Sequence, residues 1–303
     1  MGFLYKNVKD QKQKQYITKF MKKFKIAICI SGQSRTWDYC KNNILNFYNI
    51  TNFNDTEVDV DYFFHTWDIN SYRDHVKGTT HYSEYKDEPF TAGDELIDFF
   101  KPKVAEVESY STFIQKRNKL YPRQHLTVWE PMYHSIKKSI NFKRQYEIDN
   151  DFEYDLVIKT RFDCIYDPSS KFLPHVPESL KAYSSIPVGR IVNEFNAPNF
   201  DEAVFFGESR TMDLLALTGD LHMLNRINKK DSLINEFDIL PELFYGPGAL
   251  IYKHMTDMNI YPGHHFTPFN YFVARLHVVN SGLDPMNSND WPHIVESCRD
   301  WYR

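Results

Sequence analysis

Arg161, Asp163 and Asp167 stand within seven positions at the end of the apolar stretch "YDLVIKTRFDCIYD". Two aspartates so spaced supply hard oxygen ligands, the kind that hold Mg2+ or Mn2+ against phosphates. The arginine beside them presents a planar fork of N–H donors that neutralises phosphate charge directly. A second group closes the first apolar run, "KIAICISGQSR": Ser31, Gly32, Gln33 and Arg35. Here glycine lets backbone N–H groups approach an anion, and Arg35 adds a cation. A third group, His65, Trp67 and Asp68, closes "VDVDYFFHTWD". Its Trp67 is either a stacking face for a base or sugar or a buried ring beside a hydrogen-bonded histidine.

Each group must be carried by an element that ends where the group begins. Lys25 to Gly32 is a continuous apolar run, the pattern of a strand buried on both faces. A helix from about Trp37 to Asn49 and a strand over Val58 to Asp68 follow, which predicts a parallel crossover. Ile69 to Gly93 has no period and reads as a long loop. Next come a short helix, "DELIDFFK", and a third strand, "VAEVESY". The longest helical pattern spans Arg123 to Asp151, with Pro131 near its first turn. Met132, Tyr133, Ile136, Ile140 and Tyr146 make its buried face, while Lys137, Lys138, Lys143 and Arg144 read as a solvated face within reach of phosphates. The fourth strand is "YDLVIKTRFDCIYD", whose end gives Arg161, Asp163 and Asp167. "DEAVFFGES" gives a further strand, and helices are expected over 210–224 and 241–259. If the first and fourth strands are neighbours in a parallel sheet, their end groups face one crevice beyond the carboxyl edge.

The 303 residues suit one large α/β domain after a basic extension. Eight lysines and one acid in Met1 to Lys25 give +7, so with a total of −4 the remainder carries −11. Such a balance gives no drive toward nucleic acid, while the extension, residues 1–24, suits weak peripheral contact with an anionic membrane or a solvated tail. Four scattered cysteines read as reduced thiols, and with no signal-like or membrane-spanning run the expected setting is cytoplasmic.

"KIAICISGQSRTW", "VDVDYFFHTWD", "YDLVIKTRFD" and "DEAVFFGES", in that order, resemble the GT-A-fold glycosyltransferases of bacterial and viral glycan biosynthesis that carry R-x-D in place of D-x-D. The resemblance covers roughly Lys25 to Pro262. It implies a mixed, mainly parallel sheet flanked by helices, with a nucleotide-sugar half over 25–167 and an acceptor half over 168–303. It also implies a nucleotide-diphosphate sugar as donor, a glycan, lipid or protein as acceptor, and Mn2+ or Mg2+ as cofactor. Arg161 stands where the first aspartate is expected, so either the arginine neutralises the diphosphate or Asp163 holds the metal with Asp167 or a late histidine, His264 or His265.

Inverting transfer needs a carboxylate to deprotonate the acceptor hydroxyl. Asp201, Glu202 and Glu242 are the candidates, and the acceptor-side position of such a base in GT-A enzymes favours Glu242. Two other readings compete: a catalytically degenerate glycan- or nucleotide-binding module of the same fold, and a nucleotidyltransferase. The P-loop pattern is absent, which disfavours a P-loop kinase.

Overall fold

The computed structural model describes residues 23–72, 86–122, 129–172, 181–184, 203–221, 251–264 apart from 253 and 256, 271–273 and 279–300. In chain order the elements are β1 (Phe24–Ser31), α1 (Trp37–Phe47), β2 (Asn52–Phe53), β3 (Thr56–Trp67), β4 (Ile69–Tyr72), β5 (Lys86–Pro89), α2 (Gly93–Phe100), β6 (Val104–Glu108), α3 (Tyr110–Leu120) and α4 (Glu130–Asp149). The second half contributes β7 (Leu156–Thr160), β8 (Cys164–Tyr166), β9 (Lys181–Ser184), β10 (Phe205–Gly207), α5 (Ser209–Leu215), β11 (Tyr261–His264), β12 (Tyr271–Val273) and α6 (Trp291–Asp300).

These strands build a mixed α/β sheet in the order β11-β9-β10-β7-β1-β3-β2, with β6 paired to β3. β7, β1, β3 and β6 run parallel, so their carboxyl ends share one edge. The expected neighbours are in place: Ile30 of β1 sits opposite Thr160 of β7, the residue before Arg161. β10, the "DEAVFFGES" strand, is antiparallel to β7, which makes the sheet mixed.

The apolar runs of β1 and β7 are explained by burial on both faces. Ile26, Ile28, Ile30, Leu156 and Ile158 pack with Trp37, Cys40 and Ile44 of α1 and with Leu96 and Phe100 of α2. On the opposite face, Ala27, Cys29 and Val157 pack with Tyr133, Ile136 and Ile140 of α4 and with Met212 and Leu215 of α5. Alternation along an extended chain sends successive side chains to the two layers. Cys29, Cys40 and Cys164 are buried free thiols, as expected.

Four expectations change. "YDLVIKTRFDCIYD" is two strands, not one: the chain turns at Arg161–Asp163, and β8 leaves the main sheet to pair with β12. The stretch expected as a loop contains an antiparallel pair, β4 with β5, joined by residues outside the described set. α3 was not anticipated; its sequence, "YSTFIQKRNKL", is polar, and it is fixed by Ser109 as N-cap and by a buried fork from Arg117 to Glu130 of α4. Lys143 is fully buried, not solvated: its Nζ donates to Glu147 at 3.0 Å and to Asp213 at 2.7 Å, with Ser209 as a third partner. No helix among the described residues is long and apolar enough to cross a membrane. The basic extension lies outside the described residues up to residue 22; Lys23 pairs with Glu57 and Asp59.

Candidate functional site

The carboxyl edge of the four parallel strands carries two side-chain clusters. One joins β1 to β7. The chain leaves β1 through Gly32 at φ +110°, a conformation that side-chain-bearing residues rarely adopt. The loop after it is tied to β4: Gln33 Nε2 donates to Ser71 Oγ at 3.0 Å, and Arg35 Nη1 donates to the Ser71 carbonyl at 3.3 Å. Arg35 Nη2 then donates to Asp163 Oδ2 at 3.0 Å. Arg161 grips the same carboxylate as a fork, Nε to Oδ1 and Nη2 to Oδ2, both at 2.7 Å. Asp163 is fully buried, whereas the side chains of Arg35 and Arg161 stay 19% and 20% exposed. Two guanidiniums thus converge on one buried carboxylate at this edge. The Ser31 hydroxyl is buried with no hydrogen-bond partner among the described residues.

Thus the structure brings together Ser31, Gly32, Gln33 and Arg35 from one strand end and Arg161 and Asp163 from the other. It does not bring Asp167 to them. Asp163 and Asp167 flank the three-residue β8, which places their backbones on the order of 13 Å apart. Asp167 is instead occupied locally, accepting from the Ser169 N–H at 2.9 Å and the Ser169 hydroxyl at 2.6 Å. A Mg2+ or Mn2+ ion shared by Asp163 and Asp167 therefore does not fit: the first has both oxygens on guanidiniums and the second closes a turn. Asp201, Glu202, Glu242 and His265 lie outside the described residues. The backbone of His264 ends β11, beside Ser184 of β9.

The second cluster joins β3, β6 and α4. Trp67 is 1% exposed, with its ring 5.0 Å from Phe113, 5.3 Å from Tyr110 and 5.5 Å from His134. That burial removes it as a stacking face and supports the other reading of "HTWD". Asp68 is engaged on the other side of β3: its Oδ1 accepts from the Tyr110 N–H at 2.8 Å, which anchors the first turn of α3.

His65 is fully buried beside Trp67. Its Nε2 lies 2.9 Å from Glu108 Oε2, and His134 Nε2 lies 2.8 Å from the same oxygen. Lys138 Nζ is 3.7 Å from that oxygen and 3.0 Å from Glu106 Oε2. Burial alone would raise the Glu108 pKa, but the hydrogen bonds from His65 and His134 and the charges of His134 and Lys138 outweigh it and hold it at about 2. Burial also pushes His134 below its ordinary value, against the pull of Glu108. Among the described residues, these three side chains bring ligand atoms within 4.8 Å of one another. Glu108 and His134 open onto a cleft of about 420 Å³ between α3 and α4, walled also by Lys116, Tyr133, Lys137 and Asp220.

Glu108 and His134 were not anticipated. Their meeting depends on the β3–β6 register, which sets Trp67 opposite Glu108, and on where α4 crosses the sheet. A local signal existed: Glu106 and Glu108 alternate onto one face of "VAEVE", next to a strand ending in His65. No protein-family model and no curated protein matches the chain, so its assignment rests on these residues.

Proposed function

We propose that the chain is a glycosyltransferase that takes a sugar from a nucleotide-diphosphate donor bound beyond β1 and β7, on a GT-A-like sheet. The observation that carries this reading is the convergence of Arg35 and Arg161 on the buried Asp163. Asp163 orients both guanidiniums, and two forks of N–H donors held at the carboxyl edge of parallel strands suit a diphosphate. In this reading the arginines serve where other enzymes of that fold place a metal, and the R-x-D spelling has a physical meaning. The Gly32 turn keeps side-chain bulk off the approach. Glu242, Asp201 and Glu202 remain the candidates for the base that deprotonates an acceptor hydroxyl. The acceptor belongs to the glycan, lipid or protein class, and the basic N-terminus suits an acceptor at an anionic membrane surface on the cytoplasmic side.

The test is a panel of nucleotide sugars, read by release of nucleoside diphosphate and by thermal unfolding. One donor at ~100 times its Kd adds roughly 2.7 kcal/mol. At about 2.1 cal/mol/K per residue this raises the Tm by roughly 4 °C. Arg161→Gln should weaken donor binding about 10- to 100-fold, the loss of hydrogen bonds to a charged group. Donor binding should not depend on added Mg2+ or Mn2+. If no nucleotide sugar binds, the proposal is wrong; binding without turnover, across acceptors of all three classes, would indicate the degenerate binding module instead.

A further inference from the structure

We infer that His65, Glu108 and His134 form a site for one divalent transition-metal ion of the zinc class, with an open coordination position facing the cleft between α3 and α4. This inference is independent of the glycosyltransferase reading.

The three ligand atoms come from three different elements, β3, β6 and α4, and lie within 4.8 Å of one another. Bonds of about 2.0–2.1 Å in a tetrahedral arrangement separate ligand atoms by roughly 3.4 Å. The observed 2.9 and 2.8 Å separations to Glu108 Oε2 would therefore open by about half an ångström. Small side-chain rotations supply that.

Ser135 provides the second observation. Its Oγ lies 3.1 Å from the His65 carbonyl oxygen, 2.7 Å from Gly32 N and 2.8 Å from His65 Nδ1. A hydroxyl has one proton. Donated to the carbonyl, it leaves Oγ to accept from the Gly32 N–H and from Nδ1–H. The ring is thereby fixed with its Nε2 aimed at Glu108 Oε2, 2.9 Å away, the edge from which a metal would be held. A metal-bound histidine has this pattern, with its far ring nitrogen donating to a fixed oxygen.

The donor set selects the metal. Two imidazoles and one carboxylate suit Zn2+, Co2+ or Ni2+ over Mg2+ and Ca2+, which prefer all-oxygen shells. His65 is fully buried, while Glu108 and His134 line the cleft, so the unfilled position faces it. Three protein ligands with one open position is the pattern of reactive rather than structural zinc. Lys138 is the competing cation, but its shorter contact is to Glu106, which can retain it.

The experiment is Zn2+ titration by calorimetry of the full chain, first stripped with chelator, with Co2+ absorption as a spectroscopic check. No nucleotide sugar is present. The wild type should bind one Zn2+ per chain more tightly than Mg2+. His134→Ala and Glu108→Gln should each weaken Zn2+ at least about 100-fold, with ligand loss at the upper end of outer-shell effects or beyond. His293→Ala, at an exposed histidine outside the cluster, should bind as wild type does. Circular dichroism confirms folding, and Glu108→Gln carries the test if His134→Ala does not fold. Unchanged Zn2+ affinity in a folded ligand variant, or no binding by the wild type, overturns the inference.

Discussion

Asp163→Asn separates two uses of a carboxylate. An aspartate kept to hold a metal is a liability in the metal-free protein, since it crowds negative charge, and the amide should then stabilise the fold. An aspartate that organises arginines behaves oppositely. Asp163 is buried and accepts three charge-assisted hydrogen bonds, two from Arg161 at 2.7 Å and one from Arg35 at 3.0 Å. Removing one partner of a fully buried pair costs about 3–5 kcal/mol. Here the two guanidiniums keep 19% and 20% of their side-chain surface in water, which compensates part of the loss. The expected cost is therefore roughly 2–4 kcal/mol. For 303 residues at about 2.1 cal/mol/K each, the Tm falls by roughly 3–6 °C. Differential scanning calorimetry without metal or nucleotide measures this directly. The Arg161→Gln, Asp163→Asn double variant should lose less than the sum of the singles, by about 1–3 kcal/mol. A Tm that is unchanged or raised in Asp163→Asn refutes the arginine-organiser reading and restores the metal-ligand one.

Two further outcomes follow from buried polar groups. Lys143→Met leaves Glu147 and Asp213 without their shared buried cation and should cost at least about 3 kcal/mol in urea unfolding, whereas an exposed lysine would cost almost nothing. Tyr48 and Tyr166, whose hydroxyls meet at 2.9 Å, have phenol pKa values pushed up first of all by burial. Their contribution is intact below the ordinary phenol pKa of about 10 and falls as pH rises above it, because the unfolded chain releases protons that the folded chain holds. The slope reaches about 1.4 kcal/mol per pH unit for each phenol, and replacing both by Phe should flatten it; an equal alkaline loss in that variant counts against the reading.

The strand ends were legible because their signals are local. A doubly buried strand reads as an unbroken apolar run, and the edge where it stops reads as Gly, Ser and Arg. That pattern put both end groups in one crevice on the condition that the two strands are neighbours; the pairing of β1 with β7 and the contact of Arg35 with Asp163 came from the structure. What was not legible depends on distant partners. Lys143 looks solvated on a helical wheel, and its burial beside Glu147 becomes tolerable once Ser209 and Asp213, from an element 66 and 70 residues away, join it. Trp67 looks like a stacking platform until α3 and α4 cover it. Glu108 and His134 are 26 residues apart, and no period of 2 or 3.6 marks two residues that a sheet register and a helix crossing bring to one oxygen.

The hydroxyl of Ser135 touches both clusters. It meets the Gly32 N–H, at the start of the loop that carries Arg35, and His65 Nδ1, behind Glu108. A single proton acceptor cannot respond to one neighbour while ignoring the other. On the proposed readings, its geometry would link the two ends of the sheet edge: a cation held by His65 would also steady the Gly32 turn, and an anion at the Gly32 loop would change what His65 can hold. Linkage makes this influence equal in both directions. Ser135→Ala should uncouple the clusters while leaving every other named side chain in place.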